Sequence, residues 1–274
     1  MIQNDAPKGR YRVCSRAPLC YTPSIRKEIV MTQKTVLITG SSRGIGRAAA
    51  LKFASEGCHV FINGRTLSPA LVSLKAQIDS ETPGRATIAC GDVSDPEKVD
   101  QIFACIEENS DGLDILINNA GIAYIGLLTD MTDADWNTVL DTHLSAAFYC
   151  TKKALPPMIH KKAGTIINVS SMWGRVGGSC EVAYSAAKAG LQGFTKALSK
   201  ELAPSGITVN CAAFGVIDTE MNSQLDKDER DALAYDIPIG RFAAPEEAAD
   251  FLYGLTCLPA YMTGQVIGFD GGYI

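Results

Sequence analysis

Residues 35–50 read Thr35-Val36-Leu37-Ile38-Thr39-Gly40-Ser41-Ser42-Arg43-Gly44-Ile45-Gly46-Arg47-Ala48-Ala49-Ala50, and they decide how the rest of the chain is read. A short continuous apolar run ending in Thr39 suits a strand covered on both faces. Glycines at 40, 44 and 46 allow a tight turn and a close approach of backbone N–H groups to an anion at the start of the helix that follows. Strand, glycine turn and helix in that order make a seat for a pyrophosphate. The spacing G-x3-G-x-G is not G-x-G-x-x-G, and it is not a P-loop, because Arg47-Ala48 stands where Lys-Ser/Thr would be needed.

Outward from this unit the same alternation repeats. TVLIT (35–39), HVFIN (59–63), ATIAC (86–90), DILIN (114–118), TIINVS (165–170), ITVNCA (207–212) and QVIGF (265–269) are apolar, strand-like runs. Between them GRAAALKFASEG, PEKVDQIFACIEEN and DADWNTVLDTHLSAAFYCTKKAL show helical spacing and capping residues. Repeated β-α-β order predicts an α/β fold with a mostly parallel, doubly wound sheet and helices on both faces. Residues 222–237 interrupt the rhythm, either lying over the carboxyl ends of the strands, where ligands bind in such sheets, or forming a plain solvated helix.

The residues after the second strand bear on the choice of dinucleotide. An NAD site places Asp or Glu there to hold the ribose 2′-OH, whereas this chain has Asn63-Gly64-Arg65-Thr66. Arg65 and Arg43 offer two guanidinium groups that suit a 2′-phosphate, so the expected cofactor is NADP(H). Further along, Ala183-Tyr184-Ser185-Ala186-Ala187-Lys188 sets a phenol and an ammonium four residues apart, on one face of a helix. A cation near a phenol favours the phenolate, so the pair predicts a Tyr made more acidic by its neighbour.

The bulk numbers exclude several classes. A chain of 274 residues, 46% hydrophobic, suits one α/β domain. With 25 Lys plus Arg against 30 Asp plus Glu and no basic block, nucleic acid is not expected as a partner. No run of eighteen apolar residues predicts a membrane span. Nine cysteines without a CxxC fit free thiols in a reducing, cytoplasmic setting, and no metal-ligand pattern is present. Residues 1–30, rich in Arg, Lys and Pro without periodicity, read as a disordered extension, and the functional domain is expected to span 31–274.

The ordered set TGSSRGIG (39–46), GDV (91–93), NNAG (118–121), SS (170–171), YSAAK (184–188) and DGG (270–272) resembles the short-chain dehydrogenase/reductase family over residues 34–274. Phrases such as KELAPSGITVN are most similar to its 3-oxoacyl-[acyl-carrier-protein] reductase branch, which would place the chain in fatty acid biosynthesis. The resemblance implies a single-domain Rossmann fold with a seven-stranded sheet. It implies that Tyr184 is the catalytic acid, that Lys188 lowers its pKa and holds the nicotinamide ribose, and that Ser171 bonds the substrate carbonyl. Gly40, Ser42, Arg43, Gly44, Ile45, Gly46 and Arg65 would hold the phosphates and ribose of NADP(H). Asp92 and Val93 would flank the adenine, Asn118, Ala120 and Gly121 would line the cofactor, and Thr219 would reach the nicotinamide amide.

Two positions depart from the family pattern. His143 stands where an Asn usually completes a proton relay, and it either preserves that relay or serves packing. Phe214 stands where Pro is usual, which would add an aromatic group near the nicotinamide. Lys161 and Lys162 are expected at the active-site mouth, either docking an acidic acyl carrier protein or forming a solvated turn; Ser205 lacks the charge that the branch often has there. The resemblance further implies a homotetramer. The expected function is NADPH-dependent reduction of a carbonyl, with 3-oxoacyl thioesters favoured. The alternatives are the same chemistry on a small ketone, sugar or steroid-like alcohol, and a non-catalytic NADP-binding sensor or scaffold.

Overall fold

A computed structural model of the chain describes residues 34–223 and 225–274. The N-terminal extension and the Met31 start of the domain lie outside the described residues. Seven strands form one sheet: β1 (Thr35–Ile38), β2 (His59–Ile62), β3 (Arg85–Ile88), β4 (Ile115–Asn118), β5 (Gly164–Ser171), β6 (Ile207–Phe214) and β7 (Val266–Phe269). Their order is β3-β2-β1-β4-β5-β6-β7, and every neighbouring pair is parallel. The seven apolar runs are the seven strands. The inner β1, β2 and β4 are buried at every residue, whereas the edge strands β3 and β7 are only partly covered.

Helices fill both faces because each parallel crossover must return over the sheet. In chain order they are α1 (Gly44–Ser55), α2 (Pro69–Glu81), α3 (Pro96–Asn109), α4 (Asp133–Leu140), α5 (Ala146–Lys161), α6 (Trp173–Val176), α7 (Val182–Leu202), α8 (Lys227–Asp236) and α9 (Pro245–Thr256). Starts follow local chemistry: the Ser68 and Asp95 side chains accept from the first turns of α2 and α3, each of which places Pro at its first position. Thr132 and Asp135 form a reciprocal capping box on α4.

Successive residues of β1 point to opposite layers. Val36 and Ile38 pack with Phe53 of α1 and Leu252 of α9, while Leu37 packs with Ile102 of α3 and Leu198 of α7. Residues 227–236 form a helix with no fully buried residue, and Arg230 ties it at 2.9 Å to Asp218 in the loop after β6, at the carboxyl end of the sheet. No helix among the described residues is long and apolar enough to cross a membrane. Cys90, Cys105, Cys150, Cys180, Cys211 and Cys257 hold free thiols.

The sheet geometry overturns two expectations. Phe214 packs into the core layer on the α9 side of the sheet. It ends β6 buried, edge-on to Phe251 of α9 at 5.9 Å and to Phe269 of β7 at 5.7 Å, because the period of two along β6 turns residues 212 and 214 toward α9. Lys161 and Lys162 precede β5, and Ser205 precedes β6, so all three sit at the amino ends of the strands, the end of the sheet opposite the glycine turn. Lys161 there pairs with Asp114, just before β4, at 3.4 Å.

Candidate active site

The sheet order reverses direction between β1 and β4, and a doubly wound sheet binds its ligand at the carboxyl ends of the strands there. The glycine turn leaves β1 at this point. Gly40 has φ +64°, and a Cβ on it would lie 2.8 Å from the Ala120 Cα. Gly44 has φ +53° and faces the Thr219 side chain. The turn therefore packs directly against the Asn118–Gly121 loop and the loop after β6.

Three side chains that sequence reasoning passed over hold this turn. Thr39 Oγ1 accepts from the N–H groups of Asn119 and Ala120, at 2.9 and 3.0 Å. Asn119 Nδ2 donates back to the Thr39 and Gly40 carbonyls. Asn63 Oδ1 accepts from the Gly40 N–H at 3.2 Å, and its Nδ2 donates to the Ala89 and Gly91 carbonyls at 2.8 and 3.1 Å. Asn63 is thus a buried strut tying β1 to the end of β3. Its only legible signal was a polar residue closing an apolar strand.

No side chain caps α1, and its first turn carries no acidic residue. An uncapped helix N-terminus above a glycine cradle fits a pyrophosphate, so these residues fit the dinucleotide expected from the sequence. Arg43 and Arg65 are both exposed, after the adjacent strands β1 and β2, and Arg43 reaches Glu220 at 3.3 Å. Asp92 Oδ1 accepts from the N–H and hydroxyl of Ser94, while Val93 is buried. Asn118 is turned inward: its Nδ2 donates to Thr151 and Asn168, whose own amide donates to Thr195. This ties its amide nitrogen into a buried ladder between α5 and α7, whereas its Oδ1 is buried without a partner among the described residues.

Ser171 is the last residue of β5, and Tyr184 is the third residue of α7, with the one-turn α6 intervening. The structure brings Ser171, Tyr184 and Lys188 together. The Trp173 N–H donates to Ser171 Oγ at 3.2 Å, and the Ser171 hydroxyl lies near enough to Tyr184 to favour its phenolate. Lys188 is buried, its Nζ donates to the Val169 carbonyl at 2.8 Å, and it lies 5.5 Å from the centroid of the Tyr184 ring.

The protonation pattern corrects the sequence reading. Burial pushes the Tyr184 phenol up to about 12, the nearby Ser171 hydroxyl opposes this, and the Glu181 charge adds to it. Lys188 is drawn down to about 8 by burial. Lys188 is not among the groups that shift the phenol; its ammonium is directed to the Val169 carbonyl, and withdrawal from water is the largest effect on Tyr184. At neutral pH Tyr184 keeps its proton, the state a proton donor requires.

His143 lies in a wide π-turn, Asp141–Ser145, between α4 and α5. Its Nε2 faces both polar groups of Ile122, 3.1 Å from the amide nitrogen and 2.9 Å from the carbonyl oxygen. The ring meets Tyr184 edge-on at 5.1 Å, and a Cβ on Gly121 would stand 2.6 Å from its Cε1. Burial, then the Lys188 charge, holds its pKa well below 6.5, against the Ile122 hydrogen bond, so the ring is neutral at physiological pH.

That depression has a stability consequence. Below pH about 6.5 the unfolded chain takes up a proton that folded His143 refuses, so stability falls with pH until the folded pKa is reached. The expected slope from this residue is about 1.4 kcal/mol per pH unit. Urea unfolding at pH 5 and pH 7.5 should therefore show a larger loss in the wild type than in His143→Asn. Equal losses would remove the neutral, buried imidazole.

Comparison with known proteins agrees with this geometry. The sequence profile described as short chain dehydrogenase matches residues 34–230. The chain is 40% identical over 246 residues to the 3-oxoacyl-[acyl-carrier-protein] reductase FabG of Aquifex aeolicus, covering 89% of this chain and 99% of that protein. It is 39% identical over 246 residues to the 3-oxoacyl-[acyl-carrier-protein] reductase of Synechocystis sp., covering 89% and 98%. The L-sorbose reductase of Gluconobacter frateurii, solved in complex with NADPH and L-sorbose, superposes with a TM-score of 0.82 at 31% identity, covering 89% and 97%. The chain belongs to the short-chain dehydrogenase family of oxidoreductases.

Proposed function

We propose that the protein is an NADPH-dependent reductase converting a carbonyl to a secondary alcohol, with 3-oxoacyl thioesters as its leading substrates. The observation behind this reading is the convergence of Ser171, a protonated Tyr184 and buried Lys188 at the end of β5, beside the glycine turn. Bound NADPH supplies the hydride. Gly40, Ser42, Arg43, Gly44, Ile45 and Gly46 would seat its pyrophosphate, with Arg43 and Arg65 toward the 2′-phosphate. Asn118, Ala120, Gly121, Asp92, Val93 and Thr219 would line the rest of its site.

In this mechanism the Ser171 hydroxyl holds the substrate carbonyl oxygen, and Tyr184 passes its phenolic proton to that oxygen as negative charge develops there. Lys188, with a pKa near 8, exchanges protons readily at working pH and stands one helical turn from the phenol. His143 is a neutral prop that fixes the Tyr184 ring against Ile122. An acyl carrier protein partner and a homotetramer belong to this reading. The placement of Lys161 and Lys162 at the opposite end of the sheet means that they reach an active site only on another subunit. A second reading, a small hydroxylated ketone as substrate, is favoured by the likeness to the sorbose reductase.

The test is NADPH oxidation over acyl thioesters and small ketones. Turnover of S-acetoacetyl-N-acetylcysteamine is expected, and no turnover of any carbonyl would refute the reading. The cofactor assignment predicts a further result. Arg65→Ala should lower kcat/KM for NADPH by roughly 10–100-fold, the worth of one or two charge-assisted hydrogen bonds, and leave NADH unchanged. A wild type that prefers NADH contradicts it.

A further inference from the structure

We propose that two uncharged stretches, residues 121–129 and 176–180, form an apolar lip beside Tyr184 that receives the alkyl chain of a 3-oxoacyl thioester. The proposal rests on the reductase reading above and deepens it, from a short acyl group to one that carries a chain beyond the reacting carbonyl.

The two stretches follow the carboxyl ends of neighbouring strands, the first after β4 and the second after β5 and α6. They are joined to each other: the Gly126 N–H donates to the Cys180 carbonyl at 2.9 Å. Each is also fixed to the surroundings of Tyr184. Ile122 faces His143 Nε2, whose ring meets Tyr184 at 5.1 Å. Ile122, Tyr124 and Tyr184 pack on one small cluster of Val139, Ala183 and Ala187. From the other side, the Gly178 N–H donates to Ser185 Oγ at 2.9 Å, one residue past Tyr184. Hydrogen bonds and packing thus hold both stretches beside the phenol.

GIAYIGLLT (121–129) and VGGSC (176–180) contain no charged residue. Ile125, Leu127, Leu128 and Val176 are each 57–59% exposed, so their side chains are not spent on the core. Single exposed aliphatic side chains are ordinary on a protein surface. These all lie within a few residues of one hydrogen bond between loops, beside a candidate active site, and such a grouping marks a surface that an apolar group covers. A 3-oxoacyl thioester supplies that group. Its chain is bonded to the carbonyl carbon that Ser171 and Tyr184 address, so the carbons beyond it pass over the residues that border the site. A hydroxylated ketone would instead set its hydroxyls against side chains that offer no hydrogen-bond partner.

The S-acetoacetyl, S-(3-oxohexanoyl) and S-(3-oxooctanoyl) thioesters of N-acetylcysteamine test this, because they lengthen the chain by two methylenes at a time. Wild-type kcat/KM is expected to rise along the series, by up to about fourfold for each methylene covered. The double variant Ile125→Ser/Leu127→Ser should flatten the series at an unchanged melting temperature, with its smallest loss on the acetoacetyl thioester and a loss of about tenfold or more on the 3-oxooctanoyl thioester. Val72→Ser, at an exposed aliphatic position on α2, is the control and should keep the wild-type series. A flat or falling wild-type series, or a loss in the double variant that is equal at every length, would overturn the proposal. An equal loss together with a smaller assembly in light scattering would assign the patch to a contact between copies of the chain, and would overturn it likewise. If the acetoacetyl thioester is reduced while the series is flat, the reductase stands and the apolar lip falls. If no thioester of any length is reduced, the substrate reading falls and takes the proposal with it.

Discussion

Tyr184→Phe is expected to lower kcat by on the order of 10²–10⁴-fold while leaving the NADPH dissociation constant and the melting temperature close to wild type. The change deletes one oxygen. That oxygen carries a proton beside Ser171 at the start of α7, with a pKa of about 12 that keeps it protonated at working pH. Packing is expected to survive, since the ring contact with His143 at 5.1 Å does not use the hydroxyl. A loss confined to kcat separates proton donation from scaffolding. Undiminished turnover would mean that another group protonates the product, and would reopen the alternative of a non-catalytic NADP-binding protein.

Gly46→Ala should abolish cofactor binding more completely than removal of any single contact. A Cβ there would stand 2.3 Å from the Gly40 carbonyl oxygen and 2.6 Å from Asn119 Nδ2. Neither can retreat at low cost, because Asn119 Nδ2 donates to both the Thr39 and Gly40 carbonyls, at 2.9 and 3.2 Å. The turn must open, which spoils the cradle and strains its struts. The expected results are NADPH affinity reduced more than about 100-fold and a stability loss of about 1–3 kcal/mol, the usual range for overpacking. Gly193→Ala in α7 is the control, since a Cβ there meets nothing within 4 Å. That variant should bind NADPH normally and be slightly more stable, as Ala is the better helix former. Equal behaviour of the two variants would contradict the tight turn.

The strands were legible because a buried parallel strand is written as an unbroken apolar run, and the inner β1, β2 and β4 are of that kind. What escaped reading depends on orientation and depth. The alternation along β6 does not say which face is which, so Phe214, expected near the nicotinamide, is found against Phe251 and Phe269. The π-turn at His143 keeps helical composition and leaves no mark in the sequence. The spacing of Tyr184 and Lys188 located the pair but not its electrostatics, because burial, which sets both pKa values, is a tertiary property. Asn63 and Asn119 read as ordinary strand-end polar residues, and only their partners reveal them as the frame of the glycine turn. The placement of Lys161 and Lys162 could have been read directly, since residues before a parallel strand lie opposite the carboxyl ends where ligands bind.

A crystal structure of the protein with NADPH bound tests the central claim most directly. It should show the pyrophosphate on residues 40–46 at the start of α1, and the nicotinamide ring lying between Thr219 and the Tyr184 hydroxyl. A dinucleotide bound elsewhere, or a nicotinamide beyond the reach of a carbonyl held by Ser171 and Tyr184, would contradict it.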